Sequence, residues 1–367
     1  MTQREQQILG WIRENPLISQ QELAEKAGIT RSSVGVHISN LMKKGCIAGR
    51  GYVLGAEKYV TVVGGVNIDI GGTPARKPVE NDSNPGSVHM SLGGVGRNIA
   101  HNMSLLGLDV KLLTVFGNDM NAQKIIESCA ELGIDVSQSP VLAGERTSTY
   151  LFINNEQGDM QLAVSDMEIY GHLTPQLLEA RRKLINGASA VVFDTNIPQE
   201  SIEYLAETST VPLFADPVST AKAERLRPVL GRLHTLKPNR IEAELLSGVA
   251  IKDEAGLQKA AEKLLETGLK RVFITLGADG VYAADHTRAV HLPGLRAEMV
   301  NTTGCGDAFS AALVWAHMNG LSLDSAARAG LAAAATAMES AETINSAMSE
   351  SELTARMKIT EVKNDAE

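Results

Sequence analysis

Residues 301–313 read NTTGCGDAFSAAL: two glycines and a cysteine around an acid, then a run of small and apolar residues. The run predicts a buried helix, and the glycines place its open end in a loop where backbone can approach a ligand closely. The first N–H groups of a helix lack partners within it, and with the helix dipole they attract anions. A carboxylate there, Asp307, makes chemical sense where a group with a removable proton meets a group carrying negative charge. At the positive end of a helix it is also expected to stay ionised, the state a base needs. In an isolated G-x-G-D segment Asp307 would read as a simple helix cap, so the rest of the chain decides.

Upstream, AVVFDTN (190–196), PLFADP (212–217), LHTLKPN (233–239) and RVFITLG (271–277) read as strands. YVTVVGGVNIDIGG (59–72) reads as a buried strand with a glycine turn, GRNIAHNMSLLG as a helix, VKLLTVFGND as a strand and AQKIIESCAELG as a helix. Strands alternating with helices predict an α/β, doubly wound, mostly parallel sheet covered on both faces. STYLFINNEQGDMQLAVSD (148–166) has a different texture: it alternates and turns at Gln157-Gly158, as a hairpin does. With the Pro/Gly-rich stretch 73–90 it predicts a small β lid built from about 73–92 and 147–165. The C-terminal third is helical and alanine-rich, and a polar tail follows at 349–367.

The first 55 residues differ in charge and pattern. Seven Lys/Arg face four acids there, a balance of +3, whereas the whole chain of 367 residues carries −9. Ile8, Leu9, Trp11 and Ile12 share one helical face. Ser19 and Glu22 form a capping box for a second helix that Gly28 ends. Thr30 caps a third helix, with Val34, Ile38, Leu41 and Met42 turned inward and Arg31, Ser32, Ser33 and His37 outward. CIAGRGYVLG then alternates like a β wing around Gly49-Arg50-Gly51. This plan resembles a winged helix-turn-helix, whose third helix would enter the major groove while Lys43, Lys44 and Arg50 meet phosphates. A helical cap on the large unit or on a partner subunit is the plainer alternative.

Ligands in doubly wound sheets bind at the carboxyl ends of strands. No GxxxxGK[ST] loop occurs, and GGVGRNIA departs from GxGxxG at Ile99, so a dinucleotide-binding dehydrogenase has no fingerprint here. Four other stretches make joint sense. In GGVNIDI, Asn67 and Asp69 end the first strand, and a carboxylate there suits a sugar diol. In SLGGVGRNIAHN, Gly93 and Gly94 permit close backbone approach and Asn98 reaches in from the first helical turn. In LKPNRIEAE, Asn239 and Glu242 open a helix as a seat for hydrated Mg²⁺ and phosphate. The opening stretch is the fourth.

Together these stretches resemble the ribokinase-like, or phosphofructokinase-B, family of carbohydrate and nucleoside kinases, over about 58–348. The Gly-Gly plus Asn signature lies at 93–98, a DTxGAGD-type signature at 301–307 and the NxxE motif at 239–242. TLGADGV at 275–281, with Thr275, Gly277 and Gly280, looks like the family's nucleotide loop. The resemblance implies an ATP- and Mg²⁺-dependent kinase. The N–H groups of Gly304, Cys305 and Gly306 would form an anion hole for the transferred phosphoryl group, and Asp307 would take the proton from the attacking hydroxyl. Asn301 stands where the family has Asp, which leaves a monovalent-cation (K⁺) requirement open.

NDSNPGSVHMSLGGVGRNIA and GDMQLAVSDMEIY are similar to the pseudouridine-kinase branch, which phosphorylates the 5′-hydroxyl of a C-nucleoside. By that likeness Ser83 and Asn84 lie near base or ribose and Asp166 belongs to the lid. The turn-forming composition of residues 82–86 is an alternative explanation of that segment. Inosine, guanosine, uridine or a sugar are alternative substrates, and a nucleoside-sensing DNA-binding regulator is an alternative function. The family likeness implies a homodimer joined through the lids. Three scattered cysteines without CxxC pairs, a polar N-terminus and the lack of a long apolar stretch fit a cytoplasmic protein without a membrane partner.

Overall fold

In the computed structural model, residues 1–49, 58–79, 81–155, 157 and 159–364 are described. They divide into two compact units, Met1–Lys58 and Tyr59–Glu367. The small unit holds helices α1 (Gln3–Glu14), α2 (Gln20–Ala27) and α3 (Arg31–Lys43). Capping boxes Thr2/Glu5 and Ser19/Glu22 start the first two, and Gly28, at φ 63°, ends the second in the left-handed region. Ile8, Ile12, Leu23, Val34 and Leu41 are fully buried between the helices. Met42, expected inside, is exposed: one residue past Leu41, it turns off the buried face. Of the expected wing, 46–55, residues 50–55 lie outside the described residues, and Ile47 is buried in the small unit's core.

In the large unit, β1 (Val60–Val63) lies one strand in from the edge of an eight-stranded sheet. A second sheet is built from β2 (Asn67–Pro74), β3 (Gly86–Gly93), β7 (Thr149–Asn154) and β8 (Met160–Asp166). Between these segments come α4 (Val95–Leu105), β4 (Val110–Leu113), the short pair β5 (Phe116–Gly117) and β6 (Val141–Leu142), and α5 (Met120–Glu131). Further on lie α6 (Pro175–Ala180), α7 (Arg182–Asn186), β9 (Ala190–Asp194), α8 (Gln199–Thr208), β10 (Leu213–Asp216), α9 (Thr220–Ala223), β11 (Thr235–Leu236), α10 (Arg240–Ser247), α11 (Glu254–Glu266) and β12 (Arg271–Thr275). β13 (Val281–Asp285), β14 (Ala289–Leu292), α12 (Cys305–Met318), α13 (Leu323–Met338) and α14 (Glu350–Asn364) complete the unit.

The main sheet has the order β14-β13-β12-β11-β10-β9-β1-β4, and its strands run parallel except β13, which is antiparallel to both its neighbours, β12 and β14. Its inner strands are mostly apolar because both faces are covered. On one face the alanine-rich α12 and α13 pack closely, with Phe309 filling the space that the missing side chain of Gly330 leaves.

Three sequence expectations change here. Asn67 and Asp69 do not end the first strand; they open the second, after Gly64-Gly65 carries the chain out of the main sheet. The lid therefore starts at residue 67 rather than about 73, since β2 pairs along its length with β3 and also with β7. The expected polar tail is also part of the large unit. It forms α14, which buries Leu353 and sets Arg356 between Glu339 and Glu352.

Candidate active site

The carboxyl ends of β1, β9 and β10 lie side by side, and two of them finish in aspartates, Asp194 and Asp216. Asp194 is fully buried and accepts N–H groups from Gly65 and Asn196, each at 2.8 Å. A side chain at Gly64 would collide with it, so the glycine pair is what lets the lid strand leave directly above this carboxylate. Asp216 accepts from the Ser310 hydroxyl at 2.8 Å and faces the Lys237 ammonium at 3.2 Å. Burial works against the charge on Lys237, but Asp216 and then Asp307 outweigh it and hold its pKa above the ordinary value.

Asp307 sits in the first turn of α12. Gly304 is the N-cap residue in the left-handed region (φ 82°), and no side chain caps the helix. Among the described residues the N–H groups of Gly304, Gly306 and Asp307 have no acceptor, and that of Cys305 has a long one, Thr302 O at 3.4 Å. Lys237 Nζ lies close by: a Cβ built on Gly306 would be 3.2 Å from it. Asn98, from the first turn of α4, donates to Asp307 Oδ2 at 2.8 Å.

The Asp307 carboxyl is surrounded by protein yet partly open. Burial and the like charge of Asp216 raise its pKa to about 7, against the opposing pull of Asn98 and Lys237. The expectation of a fully ionised group from helix position alone is thus corrected. Desolvation outweighs the dipole at this site. Burial and Asp307 also push the Cys305 thiol up. Asn301 spends its carboxamide on the loop, accepting from Thr303 N at 2.9 Å and donating to Ala341 O at 3.0 Å.

At the base of the lid, Asp69 and Asn67 are hydrogen-bonded, and a side chain at Gly93 would strike both. Burial raises the Asp69 pKa to about 6. Gly94, at φ 97°, passes over Gly65 so closely that no Cβ fits. Register places Asp166 at this same end, through Asp166↔Thr149 and Thr149↔Ile68, where it also meets Arg146 at 3.5 Å. Ser83 and Asn84 are not brought there. Asn67 pairs with Gly93 and Pro74 with Gly86, so the 75–85 loop lies at the far end of the ribbon, roughly 23 Å away along the strand. The Asn84 carboxamide is spent on Val79 and Asp82 within that loop.

On the other flank, Asn239 and Glu242 cap α10 reciprocally: Asn239 Oδ1 accepts from Glu242 N at 2.9 Å and Glu242 Oε2 from Asn239 N at 2.8 Å. Burial raises the Glu242 pKa. Thr275 N donates to Pro238 O at 2.9 Å, tying this cap to the loop of Gly277 (φ 63°) and Gly280 (φ 92°). A cavity of about 580 Å³ opens beside it, lined in part by Arg240, Lys252, Asp279 and His291.

Sequence reasoning missed Asp194, Asp216 and Lys237. Their signal was present, as polar residues ending apolar strands of a parallel sheet.

In the small unit, Arg31, Ser32 and Lys43 are exposed, while Ser33 and His37 are partly covered. Thr30 binds both serine hydroxyls. Lys44 is engaged within the unit instead, pairing at 2.6 Å with the buried Glu5 and holding that carboxyl well below the usual range.

Residues 57–350 match the family model described as pfkB family carbohydrate kinase, and residues 1–48 that of winged helix-turn-helix DNA-binding. The chain belongs to the pfkB family of carbohydrate kinases, with a winged helix-turn-helix unit at its N-terminus, and is an ATP-dependent kinase of sugars or nucleosides. It is 39% identical to the uncharacterized sugar kinase YeiI of Escherichia coli K12, over 95% of this chain and 97% of that one. It is 36% identical to the pseudouridine kinase of the same organism, over 72% and 85%. Among solved structures, a carbohydrate kinase from Agrobacterium tumefaciens superposes with a TM-score of 0.74 at 29% identity, covering 83% of this chain and 98% of that one. Among the described residues no helix is long and apolar enough to cross a membrane.

Proposed function

We propose that the chain transfers the γ-phosphoryl group of ATP to the 5′-hydroxyl of a nucleoside, pseudouridine foremost. The observation that carries the reading is Asp307: a carboxyl with a pKa of about 7, oriented by Asn98, beside free N–H groups and an ammonium. A base poised near neutrality suits proton removal from an alcohol. Asp307 accepts that proton, while the N–H groups of Gly304, Cys305 and Gly306, with Lys237, stabilise charge on the moving phosphoryl group. Asp69, fixed by Asn67, accepts from the ribose hydroxyls, and the lid sheet keeps water from competing as acceptor. The 36% identity to pseudouridine kinase supports the choice of nucleoside.

Asn239, Thr275, Gly277 and Gly280 flank the nucleotide. Among the described residues no group of three or more His, Cys, Asp or Glu gathers to hold a metal. Glu242, whose Oε2 is engaged by the helix cap it shares with Asn239, would help hold a hydrated Mg²⁺ brought in on the phosphates. The ion would neutralise phosphate charge. Activity measured with and without K⁺ reports on the loop that Asn301 shapes.

The lid gives a second copy a place to dock. Its face away from Asp69 exposes Val88, Met90, Leu151, Ile153, Leu162 and Val164 side by side, an apolar face of the kind that contacts another protein. DNA binding through Arg31 and Lys43, with response to a nucleoside, is a second reading favoured by the match over residues 1–48.

Incubation with Mg·ATP and pseudouridine, uridine, inosine, guanosine, cytidine or ribose tests the reading. Formation of a 5′-monophosphate is expected for pseudouridine; phosphorylation of ribose alone would refute the nucleoside assignment.

A further inference from the structure

The lid face that carries Asp69 has a feature that sugar binding leaves unexplained. Strand register sets two successive rows on it: Ser91, Asp69, Tyr150 and Ser165, then His89, Gly71, Phe152 and Ala163. Three of these residues form one aromatic group. Tyr150 and Phe152 lie with ring centroids 5.8 Å apart, inclined by 36°, and His89 stands edge-on to Phe152 at 5.6 Å. Gly71 makes the group possible. A Cβ at that position would collide with the His89 ring and with Phe152 Cζ, so both rings lie across the bare backbone of β2. Tyr150 and Phe152 are half-buried and His89 is exposed, so the group retains open surface.

We infer that His89, Phe152 and Tyr150 form a ledge that receives the nucleobase and selects nucleosides over base-free sugars. The second row lies about 7 Å further along β2 than Asp69. That is one ring's breadth beyond the carboxylate assigned to the ribose diol, where a base attached at C1′ would project. Aromatic faces suit any flat heterocycle, and the serines at 91 and 165 border the ledge with hydroxyls able to meet a base edge. A bare pentose has no group to place there. Cross-strand aromatic contacts also stabilise a sheet over a glycine, so the test must separate recognition from sheet stability.

The inference rests on the nucleoside reading, and the experiment distinguishes the two. KM and kcat are measured for pseudouridine and for its base-free analogue 1-deoxyribose, in the intact protein and in Phe152→Leu and His89→Ala. Base–aromatic contact of the usual strength predicts a KM for pseudouridine about 10-fold higher or more in Phe152→Leu, with a smaller change in kcat. The preference for pseudouridine over 1-deoxyribose should narrow by a similar factor. A weakened sheet would instead impair both substrates alike, and that result, or unchanged kinetics in both variants, would overturn the ledge while leaving the nucleoside reading standing. Failure of the intact protein to phosphorylate any nucleoside would overturn both.

Discussion

Asn98 donates its Nδ2–H to Oδ2 of Asp307 across 2.8 Å, joining the first turns of two helices 209 residues apart in the chain. The bond ties the lid's exit loop to the proposed base and favours the ionised carboxyl, opposing the burial that raises its pKa to about 7. As a base, Asp307 acts when deprotonated. kcat/KM should therefore rise with pH through about 7 and level off above it. Asn98→Ala removes an interaction that lowers the pKa, so the midpoint of the pH profile should move to higher pH. A midpoint that stays in place would dissociate Asn98 from the titrating group.

The same carboxyl should cost stability. Its pKa is raised in the folded state, so its favourable contribution is full below the ordinary carboxylate pKa near 4 and is lost as pH rises through about 7. Asp307→Asn is predicted to raise the free energy of unfolding at pH 8 and scarcely at pH 4, by a difference on the order of a few kcal/mol at most, and Tm should rise accordingly. Thermal unfolding at the two pH values checks the sign. A variant equally stabilised at both would assign the effect to packing.

Gly304 and Gly306 flank Cys305 but have different structural duties. Gly304 is at φ 82°, and a side chain there would strike the Thr343 carbonyl. Gly304→Ala should therefore destabilise the large unit by about 1–3 kcal/mol or more as well as lower activity. At Gly306 the nearest atom to a new Cβ is the Lys237 ammonium, at 3.2 Å, a contact that a small shift of that side chain's end relieves. Gly306→Ala should keep its Tm nearly unchanged and lose turnover, because the ammonium is displaced from the anion site. Denaturation and steady-state assays on both variants make the comparison.

How much of this was legible in the sequence depends on how local the signal is. The caps Thr30 and Ser19, the apolar parallel strands and the glycine-flanked Asp307 could be read from short windows. The lid could not be delimited, because β2 follows β1 after three residues, and only pairing with β3 and β7 shows that it has left the main sheet. Asp216 ends β10 and Lys237 follows β11, and nothing near either residue in sequence foretells their contact. Asn239 and Glu242 were legible as a motif, while their mutual cap emerged only from geometry. Ser83 and Asn84 were placed by likeness alone, and strand register sets them at the opposite end of the ribbon.

In the small unit, two adjacent lysines are predicted to behave differently. Lys43 is exposed near the end of α3, whereas Lys44 neutralises the buried Glu5. On duplex DNA, Arg31→Ala or Lys43→Ala should each weaken binding and reduce the slope of log K against log salt by about one. Lys44→Ala should instead lower the melting temperature of the small unit. Anisotropy titrations at several salt concentrations, beside thermal melts, separate these outcomes. Binding that ignores salt in the intact protein would leave residues 1–48 a structural role.

The central claim is that Asp307 removes the proton from the nucleoside's 5′-hydroxyl. Its most direct test is single-turnover phosphorylation of pseudouridine by Asp307→Asn, with nucleoside affinity measured on the same sample. The account predicts a rate lower by about 10²–10⁴-fold with affinity nearly intact. A variant that turns over within a few-fold of the unaltered protein would contradict it, and Asp307 would be only a residue of the helix's first turn.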